Sequence, residues 1–276
     1  MRIDFHYHLA HIPGAVDELL KEMDQADVAW TLLMGGPEDA FWDFKNCSFA
    51  PNAAVLEAVR LHPDRLIGNL YIDPRQADAL DTLTRYLDAG FRCVKLFPPV
   101  GFYADEERFY PLYERIEQAG IPLLSHTGQT NIRVISPDPK VKRATSTKYA
   151  HPMTFDGLAR LFPKMPIVLA HMGYPYYVDA WSVAHANTNI YLDIAGSGPW
   201  TEGIPIVFNA LGGHQFIPVD FKRVIWGSDN CLTQVEHIAR SDVYLRQMGC
   251  SSGDRKLVFG ETAKALLKLG QGGNRT

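Results

Sequence analysis

The chain has 276 residues, 46% of them hydrophobic, and a formal net charge of −4. This length is ordinary for a single α/β barrel and allows a large core. The slightly acidic balance argues against nucleic acid or an anionic membrane surface as the main partner. No run approaches 18 apolar residues, and Asp4 and the following histidines interrupt the first strand. We therefore expect neither a transmembrane span nor a signal peptide.

The cysteines are scattered along the chain without Cys-x-x-Cys spacing, at Cys47, Cys93, Cys231 and Cys250. This pattern is typical of reduced thiols and not of a disulfide or zinc-finger framework. The sequence therefore predicts a cytoplasmic protein.

The chain begins with alternating apolar and polar residues, the period of a β-strand, from Arg2 to His8. His6 and His8 should share one face, with Asp4 below them. Short β-rich runs then alternate with helical patterns to the C-terminus. The predicted strands are 2–8, 28–34, 66–72, 91–97, 121–125, 167–170, 190–194 and 223–226. The predicted helices are 16–27, 52–61, 77–89, 109–119, 155–162, 177–186, 205–211 and 261–269.

Strands separated by helices are typical of right-handed βαβ units in a parallel sheet, and eight strands close a (β/α)₈ barrel. An open doubly wound sheet is the alternative. It would need a glycine-rich turn after the first strand, where the sequence has His8-Leu9-Ala10-His11. We predict one distorted TIM-type barrel over residues 1–276. The long polar segment from Gln129 to about His151 is predicted to be a lid, a binding loop or disordered.

Polar residues interrupt these strands near their C-terminal ends, which meet at one mouth of a barrel. They are His6, His8, Lys95, His126, His171 and Asp229. On one strand face, His6 and His8 would lie about 6–7 Å apart and could converge on one metal ion. Taken singly, His126 and His171 could be core or loop histidines, and Asp229 could be a helix N-cap. The joint position of the four histidines and Asp229 at four strand ends favours a metal site.

Imidazoles and a carboxylate without a thiolate suit zinc best, with manganese, iron or cobalt as alternatives. His6, His8, His126 and Asp229 could supply the ligands and leave a position open for water. Zinc lowers the pKa of such a water to about 7. Asp229 could take the proton from the water and pass it to the leaving group. His171 could hydrogen-bond the water or polarise a substrate carbonyl.

Six segments occur in an order that resembles one known family. They are Asp4-x-His6-x-His8, Gly90-Phe91-x-x-Val94-Lys95-Leu96, Pro122-Leu123-Leu124-Ser125-His126-Thr127-Gly128, Ile167-Val168-Leu169-Ala170-His171-Met172-Gly173, Trp226-Gly227-Ser228-Asp229 and Phe259-Gly260-Glu261-Thr262-Ala263. Over nearly its whole length the chain resembles the amidohydrolase superfamily, specifically its amidohydrolase-2 branch.

The resemblance implies a (β/α)₈ metal-dependent hydrolase, or a non-oxidative decarboxylase of the aminocarboxymuconate-semialdehyde type. It also implies that the metal is bound by His6, His8, His126 and Asp229, while His171 serves the water or a second metal.

Three further residues concern the second metal and the substrate. Some superfamily members carboxylate a fourth-strand lysine to bridge two metals, and Lys95 stands at that position. One metal is expected here, because one is more usual in this branch. An uncarboxylated Lys95 could instead bind a substrate anion. Arg133 could pair with a substrate carboxylate and Tyr174 could line an apolar pocket, although a solvated arginine and plain packing are the alternatives.

The sequence therefore predicts a metal-dependent hydrolase of a small carboxylated ester, lactone or amide. A decarboxylase using the same site is one alternative. A barrel that binds a small ligand without catalysis is another, and Asp229 argues against it because ligand binding alone does not need a proton-transfer group. We expect a small-molecule substrate and neither a nucleic-acid nor a membrane partner. A homo-oligomer is left open.

Overall fold

The structure is a computed structural model that describes residues 1–36, 41–42, 47–130, 137–215 and 219–270. Within these residues, eight parallel strands form one sheet and pair in the order of the chain. They are β1 (Arg2–His8), β2 (Val28–Met34), β3 (Leu66–Tyr71), β4 (Cys93–Leu96), β5 (Leu123–Ser125), β6 (Ile167–Leu169), β7 (Ile190–Asp193) and β8 (Val224–Ile225). Each predicted strand is present, several of them shorter than expected.

Helices separate the strands, as the βαβ pattern requires. They are α1 (Ala15–Ala26), α2 (Asn52–Leu61), α3 (Ala79–Asp88), α4 (Tyr110–Ala119), α5 (Pro139–Ala144), α6 (Thr154–Leu161), α7 (Tyr177–Ala186), α8 (Pro199–Ala210), α9 (Gln234–Gln247), α10 (Ser252–Lys256) and α11 (Thr262–Leu266). A short antiparallel pair, Phe41–Trp42 with Cys47–Ser48, follows β2 and was not predicted.

The sheet closes where β8 meets β1. The backbone N–H of Phe5 donates to the carbonyl of Trp226 at 3.1 Å, and that of Asp229 donates to the carbonyl of His6 at 2.7 Å. Parallel strands in chain order that meet at their edges form a barrel, not an open sheet. The predicted (β/α)₈ architecture is confirmed.

Two apolar clusters fill the barrel and its surroundings. The inner one includes Phe5, Leu32, Met34 and Val168, and the residues of α11 pack against it. The outer one lies between the strands and the helices and is much larger. The burial of both faces explains why the strands are nearly continuous apolar runs. Polar residues therefore stand out where these strands end.

Three predictions about the helices need correction. Helix α9 was not predicted, although it is fourteen residues long. Helix α8 begins six residues before the predicted start, with Pro205 inside it. The polar segment after Gln129 contains helix α5 and a 3₁₀ turn at Thr147–Ala150. Among the described residues, no helix has the length and apolar character needed to cross a membrane.

Asn189 connects the start of β7 to the chain before β6. Its Nδ2 lies 3.1 Å from the carbonyl oxygen of Ala159 and 3.0 Å from those of Phe162 and Met165. Substituting Asn189→Ala removes this donor from partly buried carbonyls. We expect the free energy of unfolding in urea to fall by about 1–3 kcal/mol.

The control is Asn209→Ala, because Asn209 is exposed and donates to one carbonyl, that of Gln247. Its substitution should change the free energy of unfolding by about 0.5 kcal/mol or less. Equal losses in the two variants would contradict the structural role of Asn189.

Candidate metal centre

The polar residues predicted from the strand ends form one buried cluster at the mouth of the barrel. They lie at the ends of β1, β4, β5, β6 and β8 or within four residues after them, and they are His6, His8, Lys95, His126, His171 and Asp229. The first five are buried, and the side chain of Asp229 is 13% exposed. The parallel barrel explains this convergence, since the carboxyl ends of all its strands share one face.

The Nε2 atom of His6 is the centre of the cluster. It lies 3.4 Å from His8 Nε2, 3.1 Å from Lys95 Nζ and 3.2 Å from Asp229 Oδ1. His8 Nε2 is 3.8 Å from the same Asp229 oxygen. Two imidazole nitrogens and one carboxylate oxygen therefore face a common point.

His171 joins this group to His126. Its Nε2 atom lies 3.2 Å from His126 Nδ1, and ligand atoms of His6, His171 and Asp229 all lie within 4.8 Å of one another. Two ligands held about 2.2 Å from one ion are at most about 4.4 Å apart, so small side-chain movements would bring these three atoms onto one cation. The geometry therefore adds His171 to the candidate ligands. The set predicted from the sequence, in which His171 served the water or a second metal, stays a prediction.

Each of the four imidazoles has one ring nitrogen held by a protein acceptor. The pairs are His6 Nδ1 with Asp193 Oδ2 at 2.7 Å, His8 Nδ1 with Gly35 O at 2.6 Å, His126 Nε2 with Gln129 O at 3.1 Å, and His171 Nδ1 with Ala195 O at 3.0 Å. A carbonyl or an ionised carboxylate oxygen only accepts, so the ring nitrogen facing it carries the proton. The other nitrogen of each ring is then a lone pair directed into the cluster.

This donor set fits a metal cation. The facing nitrogens of His6 and His8 are 3.4 Å apart, and those of His126 and His171 are 3.2 Å apart. Lone pairs on nitrogens this close repel one another unless a cation or a proton lies between them. Burial lowers the pKa of all four imidazoles, and the positive charge of Lys95 lowers it further, so protons are disfavoured there. Neutral imidazoles with their second nitrogen hydrogen-bonded are the usual form of metal-binding histidine.

Asp193 is a site residue that the sequence interpretation missed. Its Oδ2 holds His6 Nδ1, while its Oδ1 accepts the backbone N–H groups of His171 at 2.7 Å and Ala195 at 3.0 Å. One buried carboxylate thus orients two candidate ligands from different strands. The sequence did contain a signal, because Asp193 is a polar residue at the end of a buried strand, like the others.

The backbone is left-handed at four non-glycine positions in or beside the cluster: His171 has φ +58°, Met172 has φ +45°, Asp229 has φ +59° and Asn230 has φ +52°. Such conformations are costly and concentrate at functional sites. The N-cap alternative for Asp229 is wrong, because Thr233 caps α9 in a capping box with Glu236.

Lys95 and Asp229 are the oppositely charged groups of the site. Lys95 is fully buried, and burial lowers the pKa of its ammonium. Burial raises the pKa of Asp229, although the charge of Lys95 opposes this. The Sγ–H of Cys231 donates to Asp229 Oδ2 at 3.4 Å.

Asp4 does not share the face of the two histidines as predicted. A bulge between Asp4 and Tyr7 changes the phase of β1, so Phe5 packs inside the barrel and Tyr7 packs toward the helices. The Asp4 side chain contacts Gln234 of α9, outside the metal cluster.

The two predicted substrate contacts have different outcomes. Arg133 lies outside the described residues. The ring centroid of Tyr174 is 5.9 Å from that of Trp200, and its carbonyl accepts the backbone N–H of Gln129 at 2.6 Å. The main chain of Tyr174 therefore supports the turn that orients His126. Contact of its ring with a substrate stays a prediction.

A closed parallel barrel with imidazoles and a carboxylate at its mouth defines a (β/α)₈ protein with a candidate metal centre. The family whose sequence model is described as Amidohydrolase matches residues 3–269. The chain therefore belongs to the amidohydrolase family, and the resemblance drawn from its motifs is confirmed. A comparison with curated proteins gives no match.

Solved structures confirm the fold. An uncharacterised TIM-barrel protein from Bordetella bronchiseptica is 20% identical with a TM-score of 0.70, covering 97% of this chain and 98% of that one. A probable 2-pyrone-4,6-dicarboxylic acid hydrolase from Acinetobacter baumannii, with citric acid bound, is 16% identical with a TM-score of 0.63, covering 97% and 99%. A dihydroxybenzoic acid decarboxylase from Polaromonas sp. JS666, with bound manganese and 2-nitroresorcinol, is 18% identical with a TM-score of 0.63, covering 97% of each chain.

Substituting Asp193→Asn tests the tautomer argument. The amide oxygen can still accept the two backbone N–H groups, but the amide nitrogen then faces His6 Nδ1. His6 must accept there and carry its proton on Nε2, where it can no longer bind a metal. We expect the affinity for Zn²⁺ or Mn²⁺, measured by competition with a chelator, to fall about 10- to 100-fold.

The matched control is Asp156→Asn, because Asp156 accepts from Asn187 and Arg160 outside the cluster. Its metal affinity should equal that of the wild type. An Asp193→Asn protein that binds metal as tightly as the wild type would show that His6 does not depend on this carboxylate.

Proposed function

We propose that the protein is a metal-dependent hydrolase of a small carboxylated ester, lactone or amide. The observation that carries the proposal is the set of four buried imidazoles. Each holds one nitrogen against a protein acceptor and directs the other toward a centre that Asp229 also faces. Family membership supports the same class of enzyme.

His6, His8, His171 and Asp229 would hold the metal, with His126 beside them. A bound divalent cation would supply Lewis acidity, lowering the pKa of a water and polarising a substrate carbonyl. Zinc suits the donor set, and manganese is the alternative that the related decarboxylase structure offers.

Elemental analysis of the purified protein should find about one equivalent of metal, which should be lost in the variant His6→Ala, His8→Ala. Two equivalents would instead support a carboxylated Lys95.

Asp229 is the proton acceptor of the proposed reaction. Its Oδ1 lies among the imidazoles, which leaves Oδ2 to take the proton of the attacking water and return it to the leaving group. In the metal-free site, burial raises the pKa of this carboxylate. The ammonium of Lys95 would bind the substrate carboxylate. Because neutral His171 carries its proton on Nδ1, its Nε2 could bind the metal but could not donate a hydrogen bond to a substrate carbonyl.

Substituting Asp229→Asn removes the base with little change of shape. We expect kcat on the best substrate from a screen of carboxylated esters, lactones and amides to fall about 10²- to 10⁴-fold. Metal content, measured on the same samples, should remain detectable because the imidazoles are unchanged. Asp156→Asn should keep wild-type kcat. A variant at Asp229 that turns over normally would remove this residue from the chemistry.

Decarboxylation is the second candidate. Chain coverage does not separate the two reactions, because the related hydrolase and decarboxylase are matched over 99% and 97% of their lengths. A cation such as Lys95 beside the metal ligands could also hold a carboxylate that is to be lost.

The two reactions are separated by their products. Metal-loaded protein would be incubated in ¹⁸O-water with 2-pyrone-4,6-dicarboxylic acid and with dihydroxybenzoic acids. We expect ¹⁸O in the product of the first and no CO₂ from the second. Release of CO₂ without ¹⁸O in the organic product would favour the decarboxylase. Binding without either product would leave a non-catalytic barrel.

A further inference from the structure

The seam between β1 and β8 carries His6, His8 and Asp229, half of the polar cluster. Its regular pairing is sparse, because β8 has only two residues in the sheet. The backbone bonds described across it are Phe5 N–H to Trp226 O and Asp229 N–H to His6 O. The metal centre therefore spans the most weakly paired edge of the barrel.

Asp4 lies on this seam and accepts four hydrogen bonds. Its Oδ1 accepts the backbone N–H groups of His6 at 3.1 Å and Ser228 at 3.0 Å. Its Oδ2 accepts the Ser228 hydroxyl at 2.6 Å and the Gln234 amide at 2.9 Å. The side chain is fully buried. Three of these four donors belong to His6 or to Ser228, the residue before Asp229.

The turn after Ser228 needs such an anchor. Asp229 and Asn230 are consecutive non-glycine residues with φ of +59° and +52°. Left-handed residues persist only where their surroundings over-determine them. Ser228 is fixed directly before this pair, and Asn230, the second residue of the pair, donates its Nδ2–H to His8 O at 3.1 Å.

We propose that Asp4 is a positioning residue of the metal centre: its carboxylate ties the main chain at His6 to that at Ser228, so that His6 and Asp229 face one ion. This rests on the metal centre proposed above. Asp4 itself contacts no candidate ligand atom in the described structure, since its partners are two backbone amides, a hydroxyl and the Gln234 amide.

The test compares three variants by Zn²⁺ affinity, measured by chelator competition, and by melting temperature without metal. Asp4→Ala removes all four acceptor contacts. Asp4→Asn keeps an oxygen for the two backbone amides and should rescue. Asn189→Ala also loses a buried polar connection, but at the start of β7, far from the mouth. We expect Asp4→Ala to lose about 10-fold or more in affinity, with Asp4→Asn and Asn189→Ala within about threefold of wild type.

A second readout does not depend on metal binding. Hydrogen exchange of the metal-free protein should be faster over residues 226–231 in Asp4→Ala than in Asn189→Ala, and unchanged in β5 and β6. If Asp4→Ala does not fold, Ser228→Ala takes its place. It removes the 2.6 Å bond to Asp4 and also the acceptor of the Asn230 N–H, so the amide of Asn230 is left out of the comparison. Faster exchange over 226–231 is again expected.

Several outcomes would overturn the proposal. One is wild-type affinity in Asp4→Ala, or a loss no larger than in Asn189→Ala. Another is unchanged exchange over residues 226–231. A wild-type protein that binds no metal would refute the proposed function instead, and the exchange measurement would then decide whether Asp4 positions this seam.

Discussion

The site depends on where the imidazole protons are held. His8 directs Nε2 into the cluster because the carbonyl oxygen of Gly35, just after β2, accepts a hydrogen bond from its Nδ1–H. His171, just after β6, also directs Nε2 into the cluster, because the carbonyl oxygen of Ala195, just after β7, accepts a hydrogen bond from its Nδ1–H. In both cases the acceptor lies on the neighbouring strand's C-terminal loop. For these two histidines the parallel order of the barrel fixes the tautomer, since it places the loop of the next strand beside the candidate ligand.

The fold could be predicted because the strands are buried on both faces and interrupted by turns. Helix α9 could not, and the reason lies in its function. Its buried positions Gln234, His237, Ser241 and Leu245 follow helical spacing, but three of them are polar. Gln234 bonds Asp4, and His237 bonds the carbonyl of Gly196 beside His171's acceptor. Apolar periodicity is lost where a helix supports a site and not a core.

The site was predictable to the extent that it is built from side chains at strand ends. Asp193 obeys the same rule as Asp229 and could have been found by it. The carbonyls of Gly35, Gln129 and Ala195 could not, because a backbone oxygen has no residue-type signature. The orientation of Asp4 was also beyond the alternation pattern, since one bulge in β1 reverses which face a residue occupies.

The candidate ligands that follow the strands hold one another in place. His171 and Asp229 both adopt left-handed backbone, which is costly for a non-glycine residue. Each is fixed there by its own amide: His171 N–H bonds Asp193, and Asp229 N–H bonds the carbonyl of His6. Because Asp193 also holds the His6 ring, displacing any one of these residues removes a support from another. Their contributions to metal affinity should therefore be coupled and not additive.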